Sequence, residues 1–264
     1  MTSTLTSTST ANEPDSDGGT FRFPVAFHRL RWAKDMDVII EYRQILIEGT
    51  IVTISLAILS LLLSVALGLV GAFAKLSPSR SIQRMGNVYT TFVRSVPDLV
   101  LMMLIFFGGQ ALVTQLGDLT GLWGYVEINQ FMAGVLTLGF IFGAYMAETF
   151  RGAILAVPRG QIEAAMAVGM RPGQVFRIVT WPQMVRFALP SFSNNWLVLV
   201  KSTALVSVIG LHDLVWNAFA AGRSTHKVFT FMLAVLVIYL IITGISDLIL
   251  RRIDRKYSVG VRRA

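Results

Sequence analysis

Between Ile51 and Ala74 the chain runs without a single charged side chain. At 1.5 Å per residue, a helix of that length crosses the roughly 30 Å hydrocarbon core of a bilayer. Lipid offers no partner to a bare N–H or C=O, so a stretch like this either folds as a helix or does not span at all. The rest of the chain repeats the pattern, with apolar runs over Val88–Phe107, Phe131–Phe150, Ala188–Val208 and Val228–Leu250. A mean hydropathy of +0.63 with only 14% charged residues agrees. The expected fold class is therefore an all-α polytopic membrane protein with five transmembrane helices.

The net charge of +8 suggests nucleic acid at first sight, but the Lys and Arg residues gather at the ends of apolar runs. Neither a basic recognition helix nor a stacking motif is present. Three basic segments set the orientation. They are the loop after the first span (Lys75, Arg80, Arg84), the polar block over residues 158–186, and the tail with Arg251, Arg252, Arg255, Lys256, Arg262 and Arg263. The loop Gly108–Asn129 carries only Asp118 and Glu127. By the excess of positive charge on the cytoplasmic side, the C-terminus is expected in the cytoplasm and the N-terminus outside.

Residues 1–20, rich in Ser, Thr and Asp, read as a disordered arm and lack the pattern of a signal peptide. Residues 21–48 mix Phe, Trp and Ile with Arg22, Arg29, Arg31, Lys34 and Arg43, which suits a helix lying in the interface. The basic residues there run against an outside N-terminus. The transmembrane domain proper is expected over 49–264.

Chemistry-bearing residues inside the spans are few. Asp98 follows Pro97 in the second span, where the proline is expected to break the helix and free backbone carbonyls. A charge at membrane depth costs about 2.5–3.5 kcal/mol on insertion scales, so Asp98 is either a substrate contact or one half of an ion pair with Lys201 or Arg94. Glu148, near the end of the third span, reads first as an (i, i+3) partner of Arg151 and otherwise as a second carboxylate for a cationic substrate. Lys201 lies roughly 18 Å into the fourth span and needs a partner, either Asp98 or a substrate carboxylate. Asn194 and Asn195 read as helix glue, with Asn195 also a substrate contact.

Enzyme signatures are missing. The sequence holds no GxxxxGK loop, no HExxH and no cysteine, and His28, His212 and His226 lack metal-ligand spacing. An ion-gradient carrier also fits intramembrane carboxylates, but five spans without an internal repeat fit it poorly.

The polar block reads PRGQIEAAMAVGMRPGQVFRIVTWPQMVR. Its spacing predicts a helix over Gly160–Val168, a stop at Gly169, and a second helix from Pro172 through Ile178 that Pro182 ends. Glu163, Ala164 and Ala165, then Gly169 and Pro182, resemble the EAA loop of permease subunits of bacterial ABC importers. Val179 and Trp181 stand where that pattern has Ile and Leu. GAYMAETFRGAILAVP, NNWLVLVKSTALVS, RSVPDLVLMMLIFFGGQ and YSVGVRRA resemble the polar amino acid permeases, above all the histidine and lysine/arginine/ornithine branch, with the opine permeases beside it.

That resemblance implies the fold of type I importer permeases and an inner-membrane location. It also implies a coupling helix, with Gln161, Glu163, Ala164, Ala165, Gly169 and Arg171 docking on a cytoplasmic ATPase dimer. ATP and Mg belong to that partner, so this chain carries no cofactor of its own. Further partners implied are a second permease subunit, similar or identical, and a periplasmic binding protein. Asp98 matches a family position in subunits that handle basic amino acids; with the reading of the spans above, Asp98, Glu148 and Asn195 are the expected substrate-binding residues, and Arg94, Pro97 and Lys201 structural or gating ones. A scaffold subunit whose partner binds the substrate remains the other reading.

Overall fold

The computed structural model describes residues 37–121, 124 and 126–257. The arm over 1–20, residues 21–36 of the expected interfacial helix and the end of the basic tail lie outside them. The chain up to Ile40 forms one unit, and the helical bundle belongs to the other, which starts at Glu41.

Every regular element described is helical. They are α1 (Arg43–Leu76), α2 (Arg80–Ser95), α3 (Asp98–Thr120), α4 (Gln130–Leu155), α5 (Arg159–Ala167), α6 (Pro172–Val175), a π-helical turn (Phe176–Thr180), α7 (Trp181–Ser202), a 3₁₀ stretch (Thr203–Ile209), α8 (Leu214–Ser224) and α9 (Val228–Tyr257). Five of these segments are long and apolar enough to cross a membrane: α1, α3, α4, the composite Pro172–Ile209, and α9.

Several boundaries move. α1 starts at Arg43, so Arg43–Glu48 open the first crossing helix rather than closing an interfacial one. The break at Pro97 is real. α2 ends at Ser95, Val96 is extended as a residue before proline must be, and α3 starts at Asp98. The crossing helix then runs on to Thr120, because Gly108, Gly109 and Gln110 do not interrupt an otherwise apolar stretch. The loop expected over Gly108–Asn129 shrinks to its last residues. Pro182 does not end its helix. A turn of π-helix precedes it, and the change of hydrogen-bond register there accommodates the missing N–H while the helix continues into α7.

α4 is the hub. Two-thirds of its most apolar window (67%) is buried, against 11% for α3 and for α9. Its largest interface is with α1, and small residues make that contact close. At Gly68 an added Cβ would collide with Met146, and at Gly71 it would lie 2.8 Å from the Ala147 methyl. In lipid such close backbone approach, rather than the hydrophobic effect, drives helix association. Leu56 on α1, Leu138, Ile141 and Phe142 on α4, and Leu199 on α7 with Val206 beyond it complete the core. The outward faces keep large apolar side chains, such as Leu104 and Leu240, each 64% exposed, as a lipid solvent allows.

α8 departs from expectation. The charges of His212, Asp213 and Arg223 suggest a loop, yet Asp213 caps a helix, its Oδ1 accepting from the Trp216 N–H at 2.9 Å. Asp213 is fully buried, and its Oδ2 has no hydrogen-bond partner among the described residues. Burial pushes its carboxyl up to about 6.

The seam and the cap can each be tested. Gly68→Val forces Met146 and its backbone aside, at a cost of about 1–3 kcal/mol, and should lower the Tm in detergent by roughly 2–12 °C. Gly108→Val, where a Cβ meets nothing within 4 Å, should leave the Tm nearly unchanged. For Asp213, the folded carboxyl holds its proton more tightly than an unfolded aspartate near about 3.9. Its stabilising contribution is therefore complete below that value and lost as pH rises through about 6. The Tm of the native chain should fall over that window relative to Asp213→Asn, which keeps the cap; parallel curves would contradict the assignment.

Candidate functional site

Two places in the fold gather polar groups. The first lies where the broken second segment meets α4. A cavity of about 370 Å³ is lined by Thr90, Thr91, Arg94 and Ser95 from α2 and by Tyr145 and Glu148 from α4. The local sequence explains the placement. The last turns of α2 carry four hydrogen-bonding side chains close together, and Tyr145 and Glu148, three apart, share a face of α4. The Arg94 guanidinium sits over the Tyr145 ring, 5.5 Å from its centroid. Asp98 opens α3, where its charge suits the positive end of the helix dipole. Asp98 and Arg94 both lie within electrostatic reach of Tyr145.

The expected pairings come out differently. Asp98 forms an ion pair with neither Lys201 nor Arg94 among the described residues. Lys201 is exposed in the last turn of α7 and makes no hydrogen bond or ion pair among the described residues, so the expected intrachain partner is not there. Glu148 does meet Arg151, with Oε2 3.7 Å from Nη1. Its tighter partner is a residue that the sequence pattern assigns to a loop. Lys75, at the end of α1 and only 7% exposed, donates from Nζ to Glu148 Oε1 and, at 2.7 Å, to Thr90 Oγ1. A contact across 73 positions leaves no local signal; the one hint is a lysine that directly ends an apolar run, ahead of the loop.

Asn195 falls between the alternatives. Its Nδ2 donates to Thr149 Oγ1 at 3.0 Å, tying α7 to the residue beside Glu148, but it does not line the cavity. Asn194 is exposed.

The second place is the block from Arg159 onward. α5 closes in a Schellman motif: Gly169 N–H donates to Met166 O at 3.0 Å and Met170 N–H to Ala165 O at 3.2 Å. Gly169 sits at φ +84°, which only glycine adopts freely. The Arg171 N–H donates to Gln174 Oε1 at 3.0 Å and so fixes the start of α6. Gln161, Glu163, Ala164 and Arg171 lie outside the core, and Ala165 alone of the motif is buried. Met166, Val168 and Ile178 are exposed beside them at 49%, 76% and 58%. A short rigid helix thus presents polar and apolar groups together, as a docking surface for a soluble protein does.

Residues 64–259 match the family described as binding-protein-dependent transport system inner membrane component. The chain belongs to that family. It is accordingly a multi-pass inner-membrane permease of the ABC transporter kind, and the polar amino acid branch suggested by its motifs stands. Of its relatives, the histidine/lysine/arginine/ornithine transport system permease protein HisQ of Escherichia coli (strain K12) is 50% identical over 83% of the permease and 96% of HisQ. The nopaline transport system permease protein NocQ of Agrobacterium fabrum is 40% identical over 82% and 92%. Among solved structures, an amino acid ABC transporter with histidines superposes at a TM-score of 0.71, with 32% identity over 83% of the permease and 96% of that chain.

Proposed function

We propose that this permease carries basic amino acids (histidine, arginine, lysine and ornithine) into the cytoplasm, using ATP hydrolysed elsewhere. A periplasmic binding protein delivers the substrate, and a cytoplasmic ATPase dimer binds ATP and Mg. A second permease subunit, similar or identical, completes the pathway. The substrate class named for HisQ supports this reading. In this reading the coupling block and the basic tail face the cytoplasm and the N-terminus lies outside, with the Lys and Arg of both segments as the reason.

The observation that carries the proposal is the chemistry of the cavity walls. A cationic amino acid brings one carboxylate and two cations. Arg94 matches the carboxylate and Glu148 one of the cations, both on the cavity wall, and Asp98, which opens α3 just past the break without lining the cavity, offers a second carboxylate nearby. Asn195 supports the site from behind through Thr149. Pro97, which sets the break, and Lys201, exposed on α7, belong to the moving parts. At the other end, Gln161, Glu163, Ala164, Ala165, Gly169 and Arg171 receive the ATPase, whose closure reaches the spans as a rigid-body movement through α5 and α7.

Gly169→Asp tests the coupling arm. A residue with a Cβ is strained at φ +84°, and a carboxylate there adds negative charge to the docking face. The expected result is a permease still recovered from the membrane but without copurifying ATPase, and loss of vanadate-sensitive arginine uptake in vesicles. Undiminished copurification would count against docking at this block.

A further inference from the structure

The carboxylate offered to a cationic substrate already holds a cation. Lys75 reaches Glu148 from behind the cavity: it does not line the space, whereas Glu148, with 26% of its side chain exposed, and Thr90 do. The arrangement is built. The Lys75 stem runs across Gly86 of α2, where an added Cβ would lie 2.8 Å from Lys75 Cγ. Its ammonium joins three helices, through Glu148 on α4 and Thr90 on α2. That group is chemically the one at the end of a lysine or ornithine side chain.

The charges around the cavity sharpen the point. Lys75, Arg94 and Arg151 bring three positive charges and Glu148 and Asp98 bring two negative ones, so the site on its own is not an anionic trap. A half-buried carboxylate left without a counter-ion is costly, and so is a site that never lets its ligand go.

Resting on the reading that this cavity takes the substrate, we propose that Lys75 is a tethered competitor which sets the affinity and charge selectivity of the site. Before substrate arrives its ammonium neutralises Glu148. An incoming ammonium or guanidinium displaces it from Oε1, Thr90 Oγ1 holds the released Nζ, and the return of Lys75 to Glu148 helps expel the substrate. A cationic amino acid competes with this device. One with a neutral side chain does not.

The test is equilibrium binding of radiolabelled arginine and histidine to the purified transporter complex without its binding protein, at pH 8 where the histidine side chain is neutral. Lys75→Gln should tighten arginine binding about tenfold and change histidine binding less than about twofold. Lys75→Arg, which keeps the charge and grips a carboxylate through two parallel bonds, should weaken arginine binding instead. An arginine-to-histidine affinity ratio unchanged in Lys75→Gln overturns the proposal. If that variant does not assemble, unchanged arginine affinity in Lys75→Arg overturns it equally. Glu148→Gln separates the two failures. If it weakens arginine binding while the Lys75 variants shift nothing, the cavity reading stands and the competitor fails. If Glu148→Gln leaves both ligands bound as before, the cavity is not the substrate site and both ideas fall.

Discussion

The rest of the architecture depends on how closely α1 approaches α4. At Gly68 the two helices leave no room for a methyl group against Met146, and at Gly71 the Ala147 methyl closes the gap. Dispersion across such a seam is one of the few forces available where the solvent is as apolar as the side chains. It also fixes the register of everything further along. Seven residues past Gly68, about two turns, Lys75 arrives opposite Glu148, and the polar floor of the cavity is set by a purely apolar contact. α4, held this way, serves as the frame against which α2, α7 and the 3₁₀ stretch are placed.

Polar groups in this frame do two unlike jobs. Around Glu148 they are arranged in pairs that can exchange partners: Lys75 on two acceptors, Arg151 loosely on Oε2, and Arg94 over an aromatic face. In the block from Arg159 they fix backbone, with Gly169 and Gln174 closing one short helix and opening the next. Exchangeable contacts suit a site that must bind and release. Fixed ones suit a lever. The π-helical turn at Phe176–Thr180 joins α6 to α7 without a break, so one continuous helical segment runs from the block into the spanning stretch Pro172–Ile209.

Much of this is legible in the sequence because membrane physics narrows the choices. An uncharged run such as Ile51–Ala74 admits only one structure, and Pro97 forces Val96 into an extended conformation that separates α2 from α3. Gly169 announces its positive φ. The misses share a cause, since each depends on a neighbour remote in sequence. Lys75 looks like a loop charge until α4 supplies Glu148, and Asp213 looks like a loop charge until burial makes it the cap of α8. Conversely, the depth of Lys201 argues for an intrachain partner, and α7 turns it outward. Pro182 reads as a stop because a π-turn, which accommodates it, has no short signature.

The central claim is that substrate selection takes place at the break between α2 and α3 against the face of α4 that carries Tyr145 and Glu148. The most direct measurement is a cryo-electron microscopy map of the assembled transporter with arginine bound. The account predicts ligand density among Thr90, Arg94, Tyr145 and Glu148, with the guanidinium within hydrogen-bonding distance of Glu148 and the α-carboxylate toward Arg94. Density confined to the other permease subunit, or to a part of this chain that excludes Glu148, would contradict it.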